Sequence, residues 1–222
     1  MKRVFEDKDW SEGGKHPRSG VGSSLALTAR IREALPGLFD RYEVQSFVDA
    51  PCGDWSWMQE VDLQGVDYVG LDISESLIAA NQAAYARDGV SFAVADVTSD
   101  PLPKADLFMC RDCLFHLKYW LRWEFFQRFV ASGSRYLLTT MHAVEANRNV
   151  RDNGRFQAFN PTKSPFDFPE PVEAVVETAT RNDAGDLVPV DAPGGERWMA
   201  IWSLEQVRKV VARFNMETAA AG

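Results

Sequence analysis

The sequence predicts an α/β fold in which a largely parallel sheet carries helices on both faces. Three short apolar runs each end in an aspartate, Asp49, Asp72 and Asp96, at intervals of 23 and 24 residues. This interval accommodates one strand and one helix per repeat, as in a βαβαβ half of a doubly wound sheet. Because such sheets bind ligands at the carboxyl ends of their strands, we expect the three carboxylates to face hydroxyl or amino groups of a ligand, and an adenosine has both.

Local signals predict the elements of the first 140 residues in order. A first helix is expected from Ser23 or Ser24 to Pro36-Gly37, a pair that commonly ends helices. A second helix has Ser74 as its N-cap, and a third carries large apolar residues at helical spacing and ends at a glycine. Five apolar runs are predicted as strands, at 47–49, 68–72, 90–95, 105–110 and 136–140.

Beyond residue 140 the character of the chain changes. Residues 141–171 carry Asn, Arg, Pro and Phe without a period, which is typical of a lid or binding loop, and we expect Phe166 and Phe168 to face a substrate. The alternative is an ordered surface loop that its phenylalanines hold in place. Residues 172–180 and 198–202 are predicted as two antiparallel strands.

The loop after the first strand distinguishes between adenosine ligands. A dinucleotide-binding loop needs G-x-G-x-x-G, so that backbone N–H groups can approach a pyrophosphate. Here only Gly53 is present, Pro51 has no N–H, and Trp55 crowds the approach. The loop therefore favours a ligand without phosphates, and a nucleotide-dependent oxidoreductase is the alternative that the missing glycines disfavour.

These motifs resemble the class I S-adenosylmethionine-dependent methyltransferases, whose first motif reads approximately D/E-x-G-x-G-x-G. Asp49 and Gly53 match it, while Pro51 and Trp55 replace two glycines. A closer resemblance is to bacterial methyltransferases with D-A-P-C-G-D, C-R-D-C-L-F-H-L and S-R-Y-L-L-T-T, found here at 49–54, 110–117 and 134–140. The resemblance implies a Rossmann-like seven-stranded mixed sheet with helices on both faces, a C-terminal antiparallel hairpin, and S-adenosylmethionine as cofactor.

The same resemblance implies roles for individual residues. Asp72 would bind the ribose hydroxyls and Asp96 would lie near the adenine amino group, although an aspartate after a strand also serves as a helix N-cap. Arg18, on an N-terminal arm, would pair with the carboxylate of the cofactor. The cofactor-binding residues predicted in this way are Arg18, Asp49, Pro51, Gly53, Trp55, Asp72, Ile73, Asp96, Val97 and Arg111.

Methyl transfer to a hydroxyl group needs a general base, whereas transfer to a neutral amine does not. A histidine that can act as a base therefore favours a hydroxyl acceptor. His142 follows the fifth predicted strand and His116 follows the fourth, so both are expected at the carboxyl edge of the sheet. Asp112 begins the loop after the fourth strand and is expected to bind the ammonium of the cofactor or to orient a histidine. The alternatives are a local ion pair of Asp112 with Arg111 and a histidine that packs against a helix.

Composition limits the classes of partner. A formal net charge of -8 and a pI near 5.0 disfavour nucleic acid as a partner, since nucleic-acid binders usually present a basic surface. Three cysteines without clustered histidines indicate reduced thiols and no metal site. No apolar run is long enough to span a bilayer, and residues 1–7 lack the apolar core of a signal peptide, so a cytoplasmic protein is expected.

The sequence thus predicts a single methyltransferase domain over residues 1–222. It comprises an N-terminal arm and helix (1–40), a cofactor-binding half (41–140), a substrate-facing loop (141–171) and a C-terminal hairpin and helix (172–222). The expected acceptor is a small molecule or a glycan, with a hydroxyl slightly preferred to an amine because bases are at hand. Besides the oxidoreductase, the alternative is a non-catalytic nucleoside-binding or partner protein on the same sheet.

Overall fold

The computed structural model describes residues 10–182, 184–191 and 195–221. The first nine residues of the predicted N-terminal arm, on which the expectation of no signal peptide rests, lie outside the described residues. Among the described residues, no helix combines the length and the apolar character needed to cross a membrane.

A seven-stranded mixed sheet forms the centre of the molecule, as predicted. Seven strands pair in the order β3-β2-β1-β4-β5-β9-β6, and β7 and β8 form a separate pair. β1 to β5 are parallel to one another, whereas β9 is antiparallel to both of its neighbours, β5 and β6. The strands are β1 (Ser46–Asp49), β2 (Asp67–Asp72), β3 (Val90–Val94), β4 (Leu107–Cys110), β5 (Tyr136–His142), β6 (Glu173–Val176), β7 (Ala179–Arg181), β8 (Leu187–Pro189) and β9 (Arg197–Ser203).

Helices cover both faces of this sheet, because its central strands are apolar on both sides. On β1, Phe47 belongs to one buried cluster together with α1 and α2, while Val48 belongs to a second cluster together with α3 and α4. Such two-sided burial is characteristic of parallel strands in α/β folds. The helices are α1 (Ala29–Arg41), α2 (Glu75–Tyr85), α3 (Tyr119–Ser132) and α4 (Leu204–Ala221), with 3₁₀ turns at Val21–Ser23, Met58–Glu60 and Leu114–His116.

The predicted bounds of the first helix were wrong at both ends. α1 begins at Ala29 and continues through Pro36 to Arg41. Proline removes one backbone donor, but the turns around it bury Leu35 and Phe39 almost completely. The burial of this apolar face outweighs the lost hydrogen bond and extends the helix beyond the expected stop.

The C-terminal strands depart from the predicted hairpin in one respect. β6 and β9 pair antiparallel, as expected, with Val175 opposite Met199. Residues 179–181, which the sequence assigned to the same strand, instead pair with 187–189 outside the main sheet. Between the two segments lies Glu177, whose fully buried carboxylate turns towards two arginines and interrupts the strand.

The loop of residues 141–171 contains no helix or strand after β5, but its phenylalanines do not face a substrate. Phe166 and Phe168 are buried, which corrects the prediction. Phe166 stacks on Trp123 at 4.9 Å between ring centroids, and Phe168 lies 5.6 Å from Trp202. The alternative interpretation therefore applies to these two residues, since they hold the loop against α3 and β9.

We predict that Phe166→Ala lowers the free energy of unfolding by about 3–5 kcal/mol, because it removes a ring from a fully packed cluster. Urea denaturation measures this change. Phe156→Ala, at a phenylalanine of the same loop that is 44% exposed, is the matched control and should cost well under half as much. Equal losses from the two variants would contradict the assignment of Phe166 to the core.

Candidate functional site

One cavity opens at the carboxyl edge of the sheet, where β1, β2, β3 and β4 end. The structure brings most of the residues that the sequence predicted for the site to its wall, and the N-terminal segment closes one side through Arg18 and Ser19. Besides Arg18, the predicted residues that line it are Asp49, Pro51, Gly53, Asp72, Ile73, Asp96, Val97, Arg111, Asp112 and His116.

The turn after β1 holds Asp72 in place. Asp72 Oδ2 accepts the Gly53 N–H at 3.1 Å, and Oδ1 accepts the Ser74 N–H at 2.9 Å. Gly53 has φ +58°, and a Cβ there would lie 2.6 Å from Ser19 Cβ, so this position requires glycine on both counts. Burial raises the pKa of Asp72, against the effect of the backbone donors. The result is a fixed carboxylate at the end of β2.

Asp49 is the most strongly perturbed carboxylate in the cavity. It is 2% exposed and accepts one hydrogen bond from the Tyr68 hydroxyl at 2.8 Å. Burial raises the pKa of Asp49 to about 7, although Tyr68 and the charge of Arg111 act in the opposite direction. Asp49 therefore changes its charge near neutral pH.

Asp96 supplies the third carboxylate at this edge. Its Oδ1 accepts the Thr98 N–H at 2.9 Å and the Thr98 hydroxyl at 2.7 Å, which orders the loop after β3. Ile73 and Val97 lie on the same wall and give it an apolar surface between the carboxylates. The carboxylates of Asp72 and Asp96 thus lie on either side of an apolar surface formed by Ile73 and Val97.

Trp55, in contrast to the prediction, does not line the cavity. Its indole is buried in the core with Tyr68 and Phe92, whose ring centroids lie 5.6 and 5.5 Å away. The residue has φ +56°, and this left-handed backbone conformation occurs two residues after Gly53 in the same turn. The indole therefore points away from the cavity and does not crowd the approach of a ligand, which corrects the expectation from the sequence.

Four charged side chains form a closed ring beside the cavity. Arg111 pairs with Glu177 at 2.5 Å and with Asp112 at 3.4 Å, and Arg197 pairs with Glu177 at 2.8 Å and with Asp112 at 3.2 Å. Positive and negative groups alternate around it. We call these four residues the charge ring. The predicted ion pair of Arg111 with Asp112 is thus half of a larger arrangement.

The charge ring determines the chemistry of Asp112. Its carboxylate also accepts a hydrogen bond from the Thr140 hydroxyl at 3.2 Å. Burial alone would raise the pKa of Asp112, but the charges of Arg111 and Arg197 hold this pKa below its ordinary value. A carboxylate that is stabilised in this way is a poor proton acceptor, so Asp112 is unsuited to act as a general base.

His142 does not reach the cavity, which corrects its predicted place in the site. It is the last residue of β5, fully buried, with its ring 5.1 Å from Phe115 and 5.6 Å from Phe156. Burial lowers the pKa of His142 to about 4, because the nearby carboxylate of Asp112 compensates only in part. A histidine walled off by aromatic rings is positioned to fill the core rather than to take a proton from a ligand.

His116, unlike His142, lines the cavity. It ends the 3₁₀ turn after β4, and its Nδ1 lies 3.1 Å from the carbonyl oxygen of Arg155. The Gly154 N–H donates to the backbone carbonyl of His116 at 2.8 Å, so the loop of residues 141–171 fixes the position of this histidine. The Trp10 ring lies 5.0 Å from the imidazole and contributes to the same wall.

Sequence reasoning missed four residues of this region. Trp10 and Trp57 line the cavity, and Glu177 and Arg197 complete the charge ring. Trp57 lies close to the first motif, which is a usable signal. Glu177 has none, because a single glutamate in a strand-like segment does not reveal its partner 66 residues away.

Cys52, Cys110 and Cys113 are free thiols. Within the described parts of the chain, no cluster of three or more His, Cys, Asp or Glu side chains is arranged to hold a metal ion.

Comparisons with known proteins agree with this geometry. The family model described as a methyltransferase domain matches residues 48–138. No curated protein sequence matches the chain.

Solved structures with low sequence identity share the fold. The N-methyltransferase NodS from Bradyrhizobium japonicum WM9 is 12% identical, with a TM-score of 0.58, covering 80% of this chain and 96% of its own. Magnesium protoporphyrin IX methyltransferase from Synechocystis PCC 6803, solved with bound S-adenosylhomocysteine, is 11% identical, with a TM-score of 0.59 and coverages of 91% and 99%. The 1,6-didemethyltoxoflavin-N1-methyltransferase of Burkholderia thailandensis is 14% identical, with a TM-score of 0.60 and coverages of 90% and 87%.

The matched residues run from β1 into β5 and include the carboxyl ends of β1 to β4, which build the cavity. The arrangement of these strands is shared with methyltransferases that were solved with S-adenosylmethionine or its product bound. Residues 48–138 thus match a methyltransferase domain, and the fold around them is shared with S-adenosylmethionine-dependent methyltransferases.

Proposed function

We propose that this methyltransferase moves the methyl group of S-adenosylmethionine to a hydroxyl group of a small molecule or glycan, with His116 as the general base. The observation that carries the proposal is the position of His116. It shares one cavity with the carboxylates at the ends of β1, β2 and β3, and the Arg155 carbonyl binds one of its ring nitrogens.

The cavity fits the nucleoside part of the cofactor. A carboxylate has about four acceptor positions, and Asp72 uses two of them for backbone N–H groups, so acceptor capacity remains for two ribose hydroxyls. Asp96 is placed to receive the adenine amino group, with Ile73 and Val97 against the faces of the ring. Pro51, which lines the cavity, has no N–H to donate to a pyrophosphate, and this argues against the oxidoreductase alternative.

The methionine part of the cofactor would lie towards Asp49 and the N-terminal segment. Arg18 lines the cavity, and its Nη2 donates to the Ser76 hydroxyl at 3.4 Å, which leaves other N–H groups for the carboxylate of the cofactor. Arg111 is not suited to this task, because Glu177, Asp112 and the Gly22 carbonyl already engage its guanidinium.

The cofactor supplies an electrophilic methyl group, so the protein mainly has to orient the acceptor and remove its proton. When Nδ1–H of His116 donates to the Arg155 carbonyl, the lone pair is on Nε2, and this atom would take the proton of the acceptor hydroxyl. Asp112 is close enough for its charge to interact with His116. Its fixed negative charge would therefore stabilise the imidazolium that forms, which makes Asp112 an electrostatic partner of the base.

We predict that His116→Gln lowers kcat by about a hundredfold to ten-thousandfold and leaves the Kd for S-adenosylmethionine nearly unchanged. The acceptor is first identified by incubating cell extract with isotopically labelled cofactor and finding the labelled product by mass spectrometry. His142→Gln, at the buried histidine, is the control and should retain the pH profile of the wild type. Full activity of His116→Gln, or a label on nitrogen, would contradict the proposal.

The role of Asp72 is tested by Asp72→Asn, which we expect to raise the Kd of S-adenosylmethionine and of S-adenosylhomocysteine alike by about tenfold, since both share the ribose. Asp67→Asn changes an exposed aspartate at the opposite end of β2 and should alter neither value. Isothermal titration calorimetry gives both constants. Unchanged binding in Asp72→Asn would remove Asp72 from the nucleoside site.

The raised pKa of Asp49 predicts a pH-dependent preference for the cationic cofactor. Below about pH 7 the carboxyl of Asp49 is protonated, and above it the carboxylate attracts the sulfonium. The affinity for S-adenosylmethionine relative to S-adenosylhomocysteine should therefore increase between pH 5.5 and 8.5, by about tenfold. Asp49→Asn should abolish this increase. A wild-type ratio that is independent of pH would show that Asp49 does not sense the sulfonium.

A further inference from the structure

We propose that Glu177 raises the affinity of the cavity for S-adenosylmethionine relative to that for its demethylated product, because it compensates one of the two positive charges of the buried Arg111 and Arg197. The proposal depends on this cavity being the S-adenosylmethionine site. It does not depend on the acceptor or on the base.

The charge ring is almost completely removed from water. The side chains of Arg111 and Arg197 are 4% and 3% exposed, and that of Glu177 is 0% exposed. Only Asp112, at 18%, has moderate access to solvent. Charges in such surroundings interact strongly, because little solvent screens them.

The ring is electrically neutral only as a whole. Arg111 and Arg197 carry two positive charges, and Asp112 and Glu177 carry two negative charges. If Glu177 were neutral, Asp112 alone would face both arginines, and one positive charge would remain uncompensated. Arg111 lines the cavity, so this charge would act on whatever the cavity binds.

The two forms of the cofactor respond differently to that charge. S-adenosylmethionine and S-adenosylhomocysteine share the adenosine, the ammonium and the carboxylate, and differ by one methyl group and the positive charge on sulfur. An uncompensated positive charge beside the cavity therefore weakens the binding of S-adenosylmethionine selectively. Glu177 prevents this and so raises the affinity for S-adenosylmethionine relative to that for S-adenosylhomocysteine.

A purely structural role for Glu177 makes a different prediction. Arg111 also donates to the carbonyl of Gly22 at 2.8 Å, so the loss of Glu177 could loosen the N-terminal segment over the cavity. That change would weaken both ligands by the same factor, since both lie under the same segment. The ratio of the two dissociation constants therefore distinguishes the explanations, because it changes if Glu177 acts through its charge and stays constant if Glu177 only holds the N-terminal segment.

The test is Glu177→Gln, with calorimetric Kd values for both ligands at pH 8.5, above the pKa of about 7 of Asp49. We expect the Kd of S-adenosylmethionine to rise about tenfold and that of S-adenosylhomocysteine to change less than about threefold. Glu173→Gln is the matched control, because Glu173 also pairs with an arginine, Arg41, and lies on β6 away from the cavity. It should change neither constant.

Two further variants keep the proposal decidable if Glu177→Gln folds poorly. Arg197→Gln leaves the ring with an excess negative charge and should shift the ratio in the opposite direction, towards S-adenosylmethionine. The double variant Glu177→Gln/Arg197→Gln is neutral again, and its ratio should return towards the wild-type value although the ring is broken.

An equal change of both constants in Glu177→Gln, or a ratio that does not follow net charge across the variants, would overturn the proposal. A labelled product methylated on nitrogen would refute the proposed hydroxyl acceptor and leave these ratios unaffected. The two proposals can therefore fail separately.

Discussion

The parallel pairing of β1 with β2 on one side and with β4 on the other is the constraint on which the site depends. Val48 lies opposite Val69 in one pairing and opposite Phe108 in the other, so the three strands end at the same edge. Only at that edge do the backbone N–H groups of the turn after β1 reach the carboxylate at the end of β2. The paired strands also bury apolar side chains on both faces, and this burial supplies the stability that allows charged groups to be desolvated at their ends.

Desolvation is the common cause of the unusual properties of the site, and its effects differ from residue to residue. Asp49 accepts one hydrogen bond, from Tyr68, and this bond and the charge of Arg111 do not offset its desolvation, so burial raises its pKa to about 7. Asp112 is surrounded by arginines, so its pKa falls. His142 is enclosed by aromatic rings, and its pKa also falls. The pKa of each buried group therefore depends on how far charged or hydrogen-bonding partners compensate its desolvation.

The loop of residues 141–171 combines two tasks that the sequence presents as alternatives. Phe166 and Phe168 attach it to the core, as in a structural loop. The Arg155 carbonyl, in the same loop, holds the imidazole of His116 at the cavity. A binding loop needs such attachment, because a carbonyl that orients a side chain must itself be fixed. The aromatic residues thus contribute to the site indirectly.

The amino-acid sequence by itself determined the repeat of strand and helix, the three aspartates at the strand ends and the single glycine of the first turn, because each depends on local spacing. It also indicated a ligand without phosphates, since the turn lacks the glycines that a pyrophosphate needs, and S-adenosylmethionine followed from the resemblance of its motifs to those of class I methyltransferases. The tertiary structure alone decided which polar groups meet. Asp112 and Arg197 are 85 residues apart and pair only because β9 inserts beside β5. In the same way, Trp55 and His142 lie in the segments that the sequence predicted for the site. They pack against Phe92 and Phe115, however, and neither of them reaches the cavity. Periodicity reports whether a residue is buried, and only the three-dimensional arrangement of the strands reports what it is buried against.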